Sequence, residues 1–179
     1  MCRNAERLLE CGIKLLAIDF DQTLVSTHTG GVWQKTAEIL ATRVRPCIKR
    51  LVQTAVANGI SVAIVTFSPQ VKLISEVLAL TFPKDSHQAS DPRAPLNRWP
   101  YEGDGTGEGK QPHMASVAEE LAYFRSTYIS RKSTLLIDDD MRNIDLALRH
   151  GVNAVLCSPQ DPTSVERGID ALLSSTGVP

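Results

Sequence analysis

Residues 15–24 read "LLAIDFDQTL", and the fold turns on how this stretch is understood. Leu15, Leu16, Ala17 and Ile18 form an apolar run short enough for a strand with both faces covered. The run then delivers two carboxylates, Asp19 and Asp21, one residue apart and followed by Thr23. Two unit charges about 4 Å apart repel by roughly 4 kcal/mol at an effective dielectric near 20. A buried strand ending this way needs a compensating cation.

Outward from this stretch, three further apolar runs recur: "ISVAIV" at 60–65, "TLLI" at 134–137 and "VNAVLC" at 152–157, with the first strand itself spanning 14–18. Segments of helical period separate them. Ile48, Leu51, Val52, Ala55 and Val56 make one stripe behind Pro46, stopped by Gly59. Val71, Ile74 and Leu78 make the next, with Ser68 as the expected N-cap and Pro69 as the first helical residue. Met114, Val117, Ala118 and Leu121 mark a third helix. Ile144, Ala147 and Leu148 mark a fourth, closed by Gly151. Val165, Ile169, Leu172 and Leu173 mark the last, with Asp161 or Thr163 near its start. Alternating strands and helices predict an α/β fold: a Rossmann-like parallel sheet between two helical layers, in one domain over residues 1–179. Residues 25–34, "VSTHTGGVWQ", interrupt the pattern as a flap-like loop. Residues 81–109 form an irregular Pro/Gly-rich insertion, within which 84–88 carry a faint strand signal.

Open parallel sheets bind ligands where the carboxyl ends of their strands meet. The first run brings Asp19 and Asp21 to that edge, the second Thr66, and the third Asp138, Asp139 and Asp140. An oxygen-only set without His or Cys points to a hard divalent ion, most simply Mg²⁺.

These segments resemble the motifs of the haloacid dehalogenase superfamily of phosphoryl-transfer enzymes. "DFDQT" is similar to the first motif, DxDx[TV], and "AIVTF" to the second, an apolar strand ending in Thr or Ser. Lys110, in "EGKQPHM" at the mouth of a helix, is similar to the third, and "LLIDDDMRN" to the fourth. All four occur in the family's order, between residue 14 and about residue 157. The resemblance implies a Mg²⁺-dependent phosphatase in which Asp19 attacks phosphorus and forms an aspartyl-phosphate. Asp21 would serve as general acid and then base, and Thr66 and Lys110 would bind the phosphoryl oxygens. Asp139 would ligate the metal alongside Asp19 and the backbone carbonyl of Asp21, with Asp138 and Asn143 as second choices. Only about forty residues separate Asp21 from the second strand, so no large cap domain is expected. The branch resembled is that of the capless magnesium-dependent phosphatases. An open site implies a large or protruding phosphorylated substrate. The "THTGGVW" flap is expected to touch it, with Trp33 offering an apolar face; core packing is the alternative for Trp33 and for Trp99. Two other readings compete: a noncatalytic phosphate-binding or regulatory module, and a phosphotransferase to an acceptor other than water. An acid/base at position 21 favours catalysis over mere phosphate sensing.

Composition excludes several classes. A formal net charge of −1, with 22% charged residues, leaves no footprint for nonspecific nucleic-acid binding. No apolar run is long enough to span a membrane, and the first twenty residues lack a leader's apolar core. The four cysteines are scattered without ligand spacing and read as thiols of a reducing, cytoplasmic setting. His28, His87, His113 and His150 read as surface or capping residues, and Asp140 as solvent-facing or a helix N-cap.

Overall fold

Residue-by-residue pairing of four strands forms the centre of the molecule. The computed structural model describes residues 2–83 and 107–175. β1 (Leu15–Ile18), β2 (Ser61–Ile64), β3 (Thr134–Asp138) and β4 (Asn153–Leu156) form one all-parallel sheet in the order β2-β1-β3-β4. The register sets Leu15 beside Ser61 and Thr134, and Ile18 beside Ile64 and Ile137. Alternating side chains then sort to opposite faces. Leu16, Ile18, Val62, Ile64, Leu135 and Ile137 enter the larger core. Leu15, Ala17, Ala63 and Leu136 enter two smaller clusters on the other side. Complete burial of each such Leu or Ile stabilises the fold by roughly 1.5–3 kcal/mol.

Helices cover both faces, as the unbroken apolar strands require. The larger core is closed by α1 (Cys2–Glu10), α2 (Ala37–Ala41), α3 (Pro46–Ala57), α4 (Val71–Thr81) and α7 (Ser164–Ser175). The opposite face is covered by α5 (Gln111–Arg125), through Met114, Val117 and Leu121, and by α6 (Met141–Arg149), through Ala147. Gly168 lets α7 approach β4: a Cβ there would lie 2.5 Å from Val155 Cγ1.

The predicted α/β architecture and all four strands are present. Two helices, α1 and α2, were not anticipated. The helix expected to begin at Ser68–Pro69 begins at Val71, because Ser68 Oγ accepts a long bond from the Gln70 N–H inside a turn instead. The expected N-cap at Asp140 is present: its side chain accepts from the Arg142 N–H at 2.9 Å. Between Asp21 and β2 the chain forms only a turn and α2 and α3, with no separate cap among the described residues. The centre of the 81–109 insertion, the faint strand signal at 84–88, and His87 and Trp99 lie outside the described residues.

The β1-to-β2 connection runs through α3 on one face; the β2-to-β3 connection passes from α4 on that face to α5 on the other, where α6 carries the β3-to-β4 connection. Crossovers that diverge in this way open a crevice at the carboxyl ends of β1 and β3. Asp19 and Asp138 stand at that crevice.

Candidate active site

Asp19 extends β1 by one residue: its N–H donates to the Ile137 carbonyl at 2.9 Å, and its backbone is extended. Strand alternation puts its side chain on the face shared by Leu15 and Ala17, which α5 covers. Lys110 stands immediately before α5, and its Nζ donates to Asp19 Oδ1 at 2.7 Å. Lys110 is only 2% exposed, and its ammonium also lies 3.9 Å from the centre of the Phe67 ring. Gly109 sets this approach. It has φ +54, and a Cβ there would come within 3.0 Å of both Asn143 Oδ1 and Leu146 Cδ1.

After Asp19 the chain forms a wide turn, Phe20–Leu24, in which Leu24 N–H reaches back to the Asp19 carbonyl at 3.1 Å. Gln22 takes a left-handed φ of +54, a conformation that L-residues adopt at a cost. Its carbonyl is held by Arg45 Nη2 at 3.0 Å, and its N–H donates to the Thr27 carbonyl at 3.1 Å. The turn swings Asp21 away from the Lys110 pair, and each Asp21 oxygen meets a different donor. Thr29 N–H donates to Oδ1 at 3.2 Å, Thr29 Oγ1 to Oδ2 at 2.9 Å, and His28 Nδ1 lies 3.2 Å from Oδ2. The two carboxylates of the DxD pair thus sit in distinct surroundings.

From β3, the buried Asp138 accepts the Asp140 N–H on Oδ1 at 2.8 Å and Asn143 Nδ2 on Oδ2 at 3.0 Å. Those bonds tie Asp138 to the start of α6. Asp139 is half-buried and accepts Thr23 Oγ1 at 3.2 Å. From β2, Thr66 and Phe67 form the facing wall, and Thr66 Oγ1 accepts the Ser68 N–H at 3.2 Å. Asp19, Asp21, Thr66, Lys110, Asp138, Asp139, Asp140 and Asn143, five of them acidic, line one cavity of about 370 Å³.

Crowding of carboxylates away from water shifts their proton affinities. Burial pushes Asp19 up to about 7, against the pull of Lys110, and the nearby Asp138 and Asp139 push the same way. Burial likewise raises Asp138 against Lys110, and raises Asp139 against its bond from Thr23. One ammonium is therefore less positive charge than the cavity accommodates. Among the described residues, no three His, Cys, Asp or Glu side chains gather into a ready-made metal cage. The oxygen-only donors and the uncompensated charge nevertheless suit a hard divalent cation. Mg²⁺ binds through one or two carboxylates, keeping waters or substrate phosphate oxygens as its other ligands.

Some residues stand where the sequence did not suggest. His113, expected at the surface, is 1% exposed and packs edge-on against Phe67 with ring centres 5.3 Å apart. Burial first, and then the adjacent Lys110 charge, lower its pKa to about 4. Its place in the i, i+4 stripe with Val117 was a readable signal. His28 is at the surface as expected, its side chain 65% exposed, and it also borders the cavity beside Asp21. Trp33 is not part of the cavity wall. Its side chain packs against the core, and its indole N–H donates to the Thr36 carbonyl at 3.2 Å. The flap instead contributes His28, Thr29 and Gly31. Thr29 and Gln70 join the site without any local sequence signal.

Fold and site together define an α/β protein with an acidic cavity of about 370 Å³, containing one buried lysine, at the carboxyl edge of its sheet. No family model matches the chain, and no curated protein matches it.

Proposed function

We propose that this protein is a Mg²⁺-dependent phosphatase of the haloacid dehalogenase type, hydrolysing a phosphate monoester through an aspartyl-phosphate. The observation that carries the reading is the buried Lys110–Asp19 pair at 2.7 Å, beside a second carboxylate, Asp21, held by different donors. A nucleophile needs an oriented, ionised oxygen, whereas an acid/base needs freedom to exchange a proton. Distinct surroundings for two neighbouring carboxylates suit that division.

Lys110 fixes Asp19 through Oδ1. An Asp19 oxygen forms the bond to phosphorus as the bond from phosphorus to the leaving oxygen breaks. The leaving oxygen keeps that electron pair and takes a proton from Asp21. Asp21, now ionised, draws a proton from water as the water oxygen attacks phosphorus. The bond to Asp19 then breaks, inorganic phosphate departs, and both aspartates return to their starting forms. Lys110 and the Thr66 hydroxyl meet the phosphoryl oxygens, which carry the developing charge. Asp19 and Asp139, with the Asp21 carbonyl, would hold the metal, which supplies charge neutralisation at those oxygens. Asp138 and Asn143 brace this edge from behind.

The site has no cap among the described residues, which favours a protruding or macromolecular phosphorylated substrate. A cytoplasmic setting belongs to the same reading. No helix among the described residues is long and apolar enough to cross a membrane. The test is hydrolysis of 4-nitrophenyl phosphate with added Mg²⁺: turnover is expected, with its loss in Asp19→Asn and in chelator. Equal turnover by Asp19→Asn would contradict the proposal.

A further inference from the structure

We propose that Thr29 and Gln70 are positioning residues for Asp21, acting as a hydrogen-bond relay whose direction is set by the backbone amide of Trp33. The inference rests on the reading of Asp21 as acid/base. A backbone amide can only donate, so the Gln70 atom it meets at 2.7 Å must be the carbonyl oxygen, Oε1. That choice turns the other end of the amide, Nε2, toward Thr29 Oγ1 at 3.1 Å. With Oγ1 already accepting, the single hydroxyl hydrogen of Thr29 is directed at Asp21 Oδ2, 2.9 Å away. The Thr29 N–H takes Oδ1 at 3.2 Å. One residue therefore holds both oxygens and sets the plane of the carboxyl group.

Burial makes the grip firm. Thr29 is 6% exposed, whereas His28, the other neighbour of Asp21, has a side chain 65% exposed and restrains it less. The relay also links two walls of the cavity that are 41 residues apart in the chain: the flap, and the turn that leads from β2 into α4. An acid must lie within bonding reach of the leaving oxygen, and misplacement by about 1 Å costs on the order of 10²-fold in rate. Gln70 touches neither substrate nor Asp21; its effect passes through Thr29.

Leaving-group dependence of kcat/KM separates positioning from simple structural support, because kcat/KM reports only the steps through phosphoenzyme formation. 4-Nitrophenyl phosphate has a leaving group that departs without a proton, whereas 2-phenylethyl phosphate requires one. Thr29→Val is expected to lower kcat/KM for the alkyl ester about 10²-fold and for the aryl ester less than about 10-fold. Gln70→Leu should give the same split at roughly 5- to 10-fold on the alkyl ester. Thr29→Ser, which keeps both donors, should restore both values. Equal losses on the two esters, no loss, or failure of Thr29→Ser to rescue would overturn the relay. If Thr29→Val does not fold by circular dichroism, the half-buried Gln70→Leu carries the same test. Asp21→Asn and Asp19→Asn serve as references. An Asp21→Asn variant without the alkyl-over-aryl split would sink the acid/base reading itself, and an active Asp19→Asn the assignment of Asp19 as nucleophile.

Discussion

Replacing Lys110 with methionine removes the ammonium while keeping an unbranched side chain of similar length in the space between Phe67 and Asp19. The pair is 2.7 Å apart and Lys110 is 2% exposed, so solvent does little to screen it. Removing one member of a buried pair costs about 3–5 kcal/mol when the other keeps its charge. Asp19 can escape that cost by taking a proton, and its pKa of about 7 says when. At pH 5 in chelator it is already largely protonated, so the variant loses about 1 kcal/mol, the worth of a hydrogen bond. At pH 8 the wild-type carboxyl is ionised and the stranded one escapes its charge by binding a proton, so the loss rises to roughly 2–2.5 kcal/mol. One proton limits the slope to about 1.4 kcal/mol per pH unit. Lys110 also lowers His113, so its removal favours the variant at low pH and steepens the contrast. Urea unfolding followed by circular dichroism at pH 5, 6.5 and 8 measures this directly. In a melt, the pH 8 loss corresponds to a drop of roughly 4–10 °C for a chain of this size. Adding Asp19→Asn to Lys110→Met should recover at least half of it. A loss below about 1 kcal/mol at pH 8, or one independent of pH, would refute the argument that burial governs this pair.

Three further outcomes are expected. In chelator, Asp19 has a folded pKa above its unfolded 3.8, so the native state binds the extra proton and its contribution to stability falls as pH rises from about 4 to about 7. His113, lowered from 6.5 to about 4, contributes stability that is lost as pH falls through the same range. Asp138 and Asp139, raised as well, act in the same direction as Asp19, so the decline of stability with rising pH should be shallower in Asp19→Asn and steeper in His113→Leu than in the wild type; identical profiles for all three would contradict both assignments. Gly168→Ala should destabilise by about 1–3 kcal/mol because its methyl meets Val155 Cγ1, and Val155→Ala should relieve most of that in chemical denaturation. Mg²⁺ should raise the melting temperature of the wild type and much less that of Asp139→Asn, since one proposed ligand is gone; an equal rise would place the ion elsewhere.

The strands were legible because β1, β2 and β3 are buried on both faces, which turns position in the fold into a plain run of Leu, Ile, Val and Ala; β4, only partly buried, still carries enough of that run to be read. The acidic cluster was legible for a related reason: carboxylates placed directly after such runs have little else to do. Lys110 was recognisable only by resemblance, since nothing local distinguishes it from a solvated lysine. α1 has a single buried leucine, Leu8, among the residues whose burial is described, and α2 is five residues long. Neither offers enough periodicity to read. Trp33 misled because aromatic surface suits a core as well as a substrate, and here the core takes it. Thr29 and Gln70 are short-range silent: their meaning arises from a 3.1 Å contact across 41 residues, which no periodicity encodes.

The bond between phosphorus and Asp19 is the chemical event on which the proposed reaction depends. Mass spectrometry of Asp21→Asn, quenched in acid during turnover of 4-nitrophenyl phosphate with Mg²⁺, tests for that bond directly, because that variant can form the intermediate with a good leaving group but cannot activate water to clear it. One phosphoryl group on the peptide containing Asp19 is the expected result. Steady turnover by the wild type, with label on another residue or on none, would contradict it.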